Sequence, residues 1–206
     1  MNVLMINGSP RGSGNTAIAL QEMKNVFAQE GIEVTELNVG AKAVRGCIAC
    51  NQCAKTGKCV FDDIVNGEAA PLLAKADGVV VASPVYYASA NGNLISFLDR
   101  LFYSCRCDLT MKVGASVVCA RRGGCSATFD ELNKYFTLPG RPLPPSQYWN
   151  SIHGRLPGEA EQDEEGKQTM RALARNMAFL MKSIALGKEA YGLPEKEPRV
   201  ATHFIR

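Results

Sequence analysis

The sequence predicts a three-layer α/β sandwich, a five-stranded parallel sheet with helices on both faces. Three observations predict it. The chain opens on an apolar run of strand length, Val3-Leu4-Met5-Ile6. A loop rich in glycine and serine, Gly8 to Thr16, then leads into a stretch with helical periodicity. Strand-like and helix-like segments go on alternating to the end, and βαβα order implies parallel strands joined by right-handed crossovers.

The elements follow in order. The first helix spans Thr16 to Gln29, with Ile18, Leu20, Met23, Val26 and Phe27 apolar. Ile32 to Val39 reads as the second strand, and 40–63 as a cysteine-rich loop. A helix over Ile64 to Ala76 precedes a third strand, Asp77 to Ala82. Leu94 to Tyr103 is the next helix, Lys112 to Cys119 the fourth strand, and Ala127 to Phe136 the helix after it. A fifth strand is expected around Pro144 to Trp149. Glu159 to Lys188 carries Met170, Leu173, Met177, Leu180, Met181 and Ile184 in one helical stripe. Its first turns are acidic, which suits the positive end of a helix. Residues 190–206, with Pro194 and Pro198, read as an irregular tail on a single domain, 1–206.

Composition narrows the function. A chain of 206 residues, 46% hydrophobic and 21% charged, can bury a full core. A net charge of +3 without a basic run does not point to nucleic acid, and no apolar stretch approaches the ~20 residues of a membrane span. The N-terminus has neither a basic start nor a cleavage site, so a cytoplasmic protein is expected. There the eight cysteines would be thiols or metal ligands.

In such a sheet, ligands sit at the carboxyl ends of the strands, so the loops after strands one, three and four should converge. The first holds Ser9, Arg11, Ser13, Gly14, Asn15 and Thr16, hydrogen-bond donors without a negative charge. That chemistry suits phosphate. Asn15 after Gly14 breaks the P-loop pattern, which needs lysine there. Gly12-Ser13-Gly14-Asn15-Thr16-Ala17 matches a dinucleotide fingerprint, with Glu33 or Glu36 as a ribose ligand. The many hydroxyls fit a terminal phosphate better. The second loop offers Pro84, Val85, Tyr86, Tyr87, Ala88 and Asn91, a segment against which a flat heteroaromatic ring could lie. The third offers Arg121, Gly123 and Gly124, where glycine lets backbone approach a ligand. Phosphate at one loop and a flat ring between two others describe flavin mononucleotide, FMN.

GSPRGSGNT, SPVYYASANGNLISFLDR and ARRGG resemble the three flavin-contact segments of the NADPH-dependent FMN reductase family. The resemblance implies a flavodoxin-like fold, bound FMN, NAD(P)H as co-substrate, and a homodimer or homotetramer. Cys47, Cys50, Cys53 and Cys59, followed by Asp62-Asp63, further resemble the iron–sulfur branch of that family. Four thiolates in a CxxCxxCx5C run can hold a [4Fe–4S] cluster or structural zinc. Related reductases carry a similar loop without metal. On sequence alone the metal-free reading ranks first, iron–sulfur second and zinc third.

Among the other cysteines, Cys119 reads as core, Cys105 and Cys107 flank Arg106, and Cys125 follows the third loop. No side chain is assigned acid or base duty. Of the two histidines, His153 reads as a surface-loop residue and His203 falls in the tail. The leading function is an oxidoreductase that takes a hydride from NAD(P)H and reduces a small acceptor such as a flavin, quinone, nitro or azo compound. The alternative is a flavin electron carrier or redox sensor acting on a protein partner; a third, weaker option is a dinucleotide-dependent dehydrogenase.

Overall fold

The computed structural model describes residues 1–198, 200–202 and 204. His203 lies outside them. The first strand, β1 (Asn2–Asn7), sits at the centre of the fold because both of its faces are apolar. Val3 and Met5 point into one core, Leu4 and Ile6 into the other. The helix α1 (Asn15–Gln29) follows, then β2 (Glu33–Asn38), paired parallel to β1 with Asn2 opposite Glu33.

Beyond β2 the chain runs through the cysteine-rich loop, which contains a short helix, α2 (Gln52–Thr56). The helix expected over 64–76 is two pieces, a π-helical turn Val65–Ala69 and then α3 (Ala70–Lys75). Pro71, which has no N–H to donate, lies at the start of α3 where none is needed. Next, β3 (Gly78–Tyr86) runs four residues beyond its expected end and folds back into β4 (Ser89–Ala90), with which it pairs antiparallel. The remaining elements are α4 (Gly92–Ser104), β5 (Val113–Ala120), α5 (Cys125–Thr137), β6 (Ser151–His153) and α6 (Glu164–Tyr191). A turn of 3-10 helix, Glu159–Gln162, precedes α6.

The parallel strands are ordered β2-β1-β3-β5-β6, the flavodoxin-like arrangement. All eight residues of β5 are buried, since helices cover both of its sides. One core packs α1 and α6 against the sheet, and Met170, Leu173, Met177 and Met181 of α6 lie in it. The other packs α3, α4 and α5, around Phe97, Leu101 and Phe136. The fifth strand is displaced from its expected place at 144–149. It is set by register with β5, Val118 opposite Ser151 and Ala120 opposite His153, and Pro144 and Pro145 lie in irregular chain before it. The described residues after Gly192 have no regular structure. Among the described residues no helix is long and apolar enough to cross a membrane.

Candidate functional site

The strand order reverses direction between β1 and β3, and the loops leaving these two strands part there to open a crevice. A cleft of about 200 Å³ occupies it, walled by Ser9, Arg11, Gly14, Asn15 and Thr16 on one side. Pro84, Val85 and Tyr86 form a second wall, and Cys119, Ala120 and Arg121 a third. Gly154 and Arg155 close the fourth, and the sequence had not marked these two. The lining contains three arginines and no carboxylate. Burial pushes the Cys119 thiol up to about 12, the Thr16 hydroxyl working the other way, so the cleft floor stays neutral.

Local hydrogen bonds hold the first loop. Asn7 Oδ1 accepts the Ser9 N–H at 3.0 Å, Ser9 Oγ accepts the Arg11 N–H at 3.2 Å, and the Gly14 N–H closes a turn on the Arg11 carbonyl. The first N–H groups of α1 then have no carbonyl of their own helix to bond. Asn15 turns its amide elsewhere. Its Nδ2 donates to the Leu156 carbonyl at 2.9 Å and its Oδ1 accepts the Ala160 N–H at 3.2 Å. Its side chain therefore fastens the fourth wall of the cleft.

Several expected site residues lie outside the cleft wall. Ser13 is exposed on the outer side of the loop. Tyr87 and Ala88 form the two-residue tip of the β3–β4 hairpin, both with positive φ (53° and 59°), and the Tyr87 side chain is fully exposed. Asn91 is buried as the N-cap of α4, its Oδ1 accepting the Asn93 N–H at 2.8 Å. Gly123 is exposed. Gly124 has φ +88°, and a Cβ there would lie 2.9 Å from both Ala88 Cα and Val85 Cγ1. The glycine is needed to seat the hairpin on α5. Glu131 of α5 completes that seat, accepting hydrogen bonds from the Ser89 hydroxyl and the Ala90 N–H.

The cysteine loop docks beside this edge. A Cβ on Gly40 would fall 2.2 Å from the Gly8 carbonyl oxygen, so only glycine lets the loop leave β2 so close to the first loop. Cys47, Cys50, Cys53 and Cys59 then line one small cavity together with Arg100 and Phe61. Ala49 and Asn51 adopt left-handed backbone (φ 52° and 57°), which curls the chain between the cysteines. All four are free thiols, and among the described residues no three His, Cys, Asp or Glu side chains already converge as a ligand set. The donor set is soft and gathered on one cavity, which fits an iron–sulfur cluster in kind and number.

Arg100, 1% exposed, forms the back of that cavity. It makes a two-pronged bond to Asp63 (2.7 and 2.9 Å), while its Nε donates to Cys59 Sγ at 3.2 Å. Its guanidinium lies 5.0 Å from the centre of the Phe61 ring. Burial works to lower the Arg100 pKa, but the bonds to Asp63 and Cys59 outweigh it and raise the value. A permanent positive charge thus stands behind the thiols.

The family model for NADPH-dependent FMN reductase matches residues 1–154. The chain belongs to that family. Six relatives match, each described as an iron–sulfur flavoprotein. One of the two from Methanocaldococcus jannaschii is 33% identical over 193 residues, covering 89% of this chain and 99% of its own. Among solved structures, RosB with a bound 8-demethyl-8-formylriboflavin-5'-phosphate superposes over 100% of this reductase-family chain and 94% of its own, at TM-score 0.70 and 16% identity. A flavodoxin from the domain Archaea covers 86% of this chain and 99% of its own, at TM-score 0.56 and 15% identity. These two likenesses establish the flavodoxin-like fold.

Proposed function

We propose that this reductase-family protein is an FMN-dependent oxidoreductase that takes a hydride from NAD(P)H and passes the electrons to a small acceptor. We further propose that its four loop cysteines hold a [4Fe–4S] cluster. The observation that carries the flavin reading is the cleft, where loops from four parts of the chain meet around three guanidinium groups and no acid. The cluster reading reverses the order reached from sequence alone. It is supported by the names of the relatives and by the gathering of Cys47, Cys50, Cys53 and Cys59 on one cavity.

In this reading the chain's own groups bind and orient. Arg11, the Ser9 and Thr16 hydroxyls and the first N–H groups of α1 hold the phosphate. Pro84, Val85 and Tyr86 present strand backbone to one side of the flat ring, and Arg121 and Arg155 set a positive field around it. FMN, when bound, supplies the two-electron exchange with the nicotinamide and the release of electrons to the acceptor. A cluster on the cysteine loop would supply one-electron transfer, with Arg100 balancing part of its negative charge.

The test is the protein purified without oxygen. Its visible spectrum should show flavin, and analysis should find about four irons per chain. Arg11→Ala should weaken FMN by about one to two decades, the loss of a charge-assisted bond of roughly 1.5–3 kcal/mol. Unchanged affinity would refute the phosphate assignment. Cys50→Ser should remove the iron and leave FMN in place; iron-free wild-type protein refutes the cluster. Slow NAD(P)H oxidation with every small acceptor, alongside rapid exchange with a redox protein, would favour the carrier instead.

A further inference from the structure

We propose that Cys125, His153 and Asp163 form a thiol-exchange site for small anionic disulfides on the carboxyl edge of the sheet. The three residues come from three elements, and none lines the cleft assigned to FMN. Cys125 is the first residue of α5 and His153 the last of β6. Asp163 is the N-cap of α6. Cys125 Sγ lies 3.8 Å from His153 Nε2, and His153 Nδ1 lies 3.4 Å from Asp163 Oδ2.

The carboxylate is fixed independently of the imidazole. Its Oδ2 accepts the His153 backbone N–H at 2.7 Å and its Oδ1 accepts the Gly166 N–H at 2.9 Å. The carboxylate 3.4 Å from Nδ1 favours the tautomer that carries its proton there, which leaves the Nε2 lone pair on the side of the sulfur. This is the geometry of a nucleophile, a base and the group that orients the base. Cys125 is half-buried and His153 exposed, so a small molecule can reach both. Burial raises the Cys125 thiol pKa, so at rest the proton stays on sulfur and the thiol depends on its neighbour to be activated.

Charge chooses the class of disulfide. Arg121 and Arg122 are exposed in the turn that leads into Cys125, and Arg155 follows His153 by two residues. Of the acids near this edge, Glu131 is engaged with the β3–β4 hairpin and Glu159 with the N–H groups of Arg155 and Leu156, while Glu165 shares a pocket with His153 and Asp163. A disulfide bearing carboxylates is therefore favoured over a neutral one.

The step is an exchange without net oxidation. The Cys125 proton passes to Nε2 as Sγ attacks one sulfur of the disulfide. The new S–S bond forms as the old one breaks, and the departing thiolate takes the proton back from the imidazolium. A second small thiol of the same class reverses the reaction.

The experiment follows each cysteine separately by mass spectrometry after brief exposure to one of two probes. The first is 5,5′-dithiobis(2-nitrobenzoate), which is anionic, and the second is neutral 2,2′-dithiodipyridine. With the anionic probe, wild-type Cys125 should react at least about tenfold faster than Cys105, a half-buried thiol beside Arg106. His153→Gln should slow Cys125 by about tenfold and leave Cys105 unchanged. Asp163→Asn, which keeps the helix cap, should slow it about threefold. Arg122→Ala should slow the anionic probe and spare the neutral one. Equal rates at Cys125 in wild type and His153→Gln would overturn the relay. Equal loss of both probes in Arg122→Ala, or of neither, would overturn the anionic class. Neither arm depends on FMN or iron being bound.

Discussion

Replacing Asp63 with alanine should destabilise the protein by about 3 kcal/mol. The substitution removes both carboxylate oxygens from a guanidinium whose side chain is fully buried. Breaking a buried ion pair by deleting one partner costs roughly 3–5 kcal/mol, because the remaining charge keeps its desolvation penalty. The lower end applies here. The Asp63 side chain is 30% exposed, so water can reach part of the space it vacates. Arg100 also keeps its contacts with Cys59 and the Arg45 carbonyl. In a domain of this length, about 3 kcal/mol corresponds to a fall in Tm of roughly 6–12 °C. Burial tends to raise the Asp63 pKa, but the bonds from Arg100 and from the Val65 N–H outweigh it and hold the carboxyl below its usual range. A depressed carboxylate pKa contributes stability that is present above the unfolded value, near pH 4, and lost as pH falls through the folded one. Wild type and Asp63→Ala should therefore differ fully at pH 7 and converge in acid. Urea unfolding followed by circular dichroism, at pH 7 and at pH 3, measures both effects. Asp62→Ala is the control, an exposed neighbour expected to move stability by less than about 0.5 kcal/mol. A loss below about 1 kcal/mol for Asp63→Ala, or a gap that persists unchanged at pH 3, would refute the reasoning.

The β3–β4 hairpin gives two further expectations. Tyr87→Asn with Ala88→Gly places at the tip the residue pair that its two positive φ values favour, and should raise stability by about 1 kcal/mol in thermal unfolding. Gly124→Ala should cost about 2 kcal/mol, since it adds a Cβ at φ +88° into contact with the hairpin, whereas Gly123→Ala meets open space and should be nearly neutral.

The sequence made the glycine-rich first loop and the cysteine loop readable because both are local. Glycines, hydroxyls and cysteine spacing lie within a few residues of one another, and the chain brings them together whatever the rest of the fold does. The three inner strands, β1, β3 and β5, were readable for the same reason, each being an apolar run long enough to stand out. β6 was not. Three residues cannot display a period, and its place is fixed by pairing with Val118–Ala120, which no local pattern announces. The fourth wall of the cleft was hidden in the same way, because the turn that carries Arg155 is held by the Asn15 amide through the Leu156 carbonyl, 141 residues along the chain. Tyr87 and Ala88 read as ring contacts on residue type alone, and their backbone conformation turned them into a hairpin tip. His153 is exposed as expected, but its place on β6 and its neighbours Asp163 and Cys125 emerge only in the folded chain.

The Asn15 amide ties the most recognisable part of the chain to its least recognisable part. The match to the family stops at residue 154, one position before Arg155 and two before the carbonyl that Asn15 holds. The glycine-rich loop at the head of α1 and the turn after β6 therefore behave as one mechanical unit, since a single amide donates to one backbone group of that turn and accepts from another. Arg155 rides on the turn and lines the cleft opposite the loop. A change at position 15 would thus be felt across the cleft, at a guanidinium far along the chain.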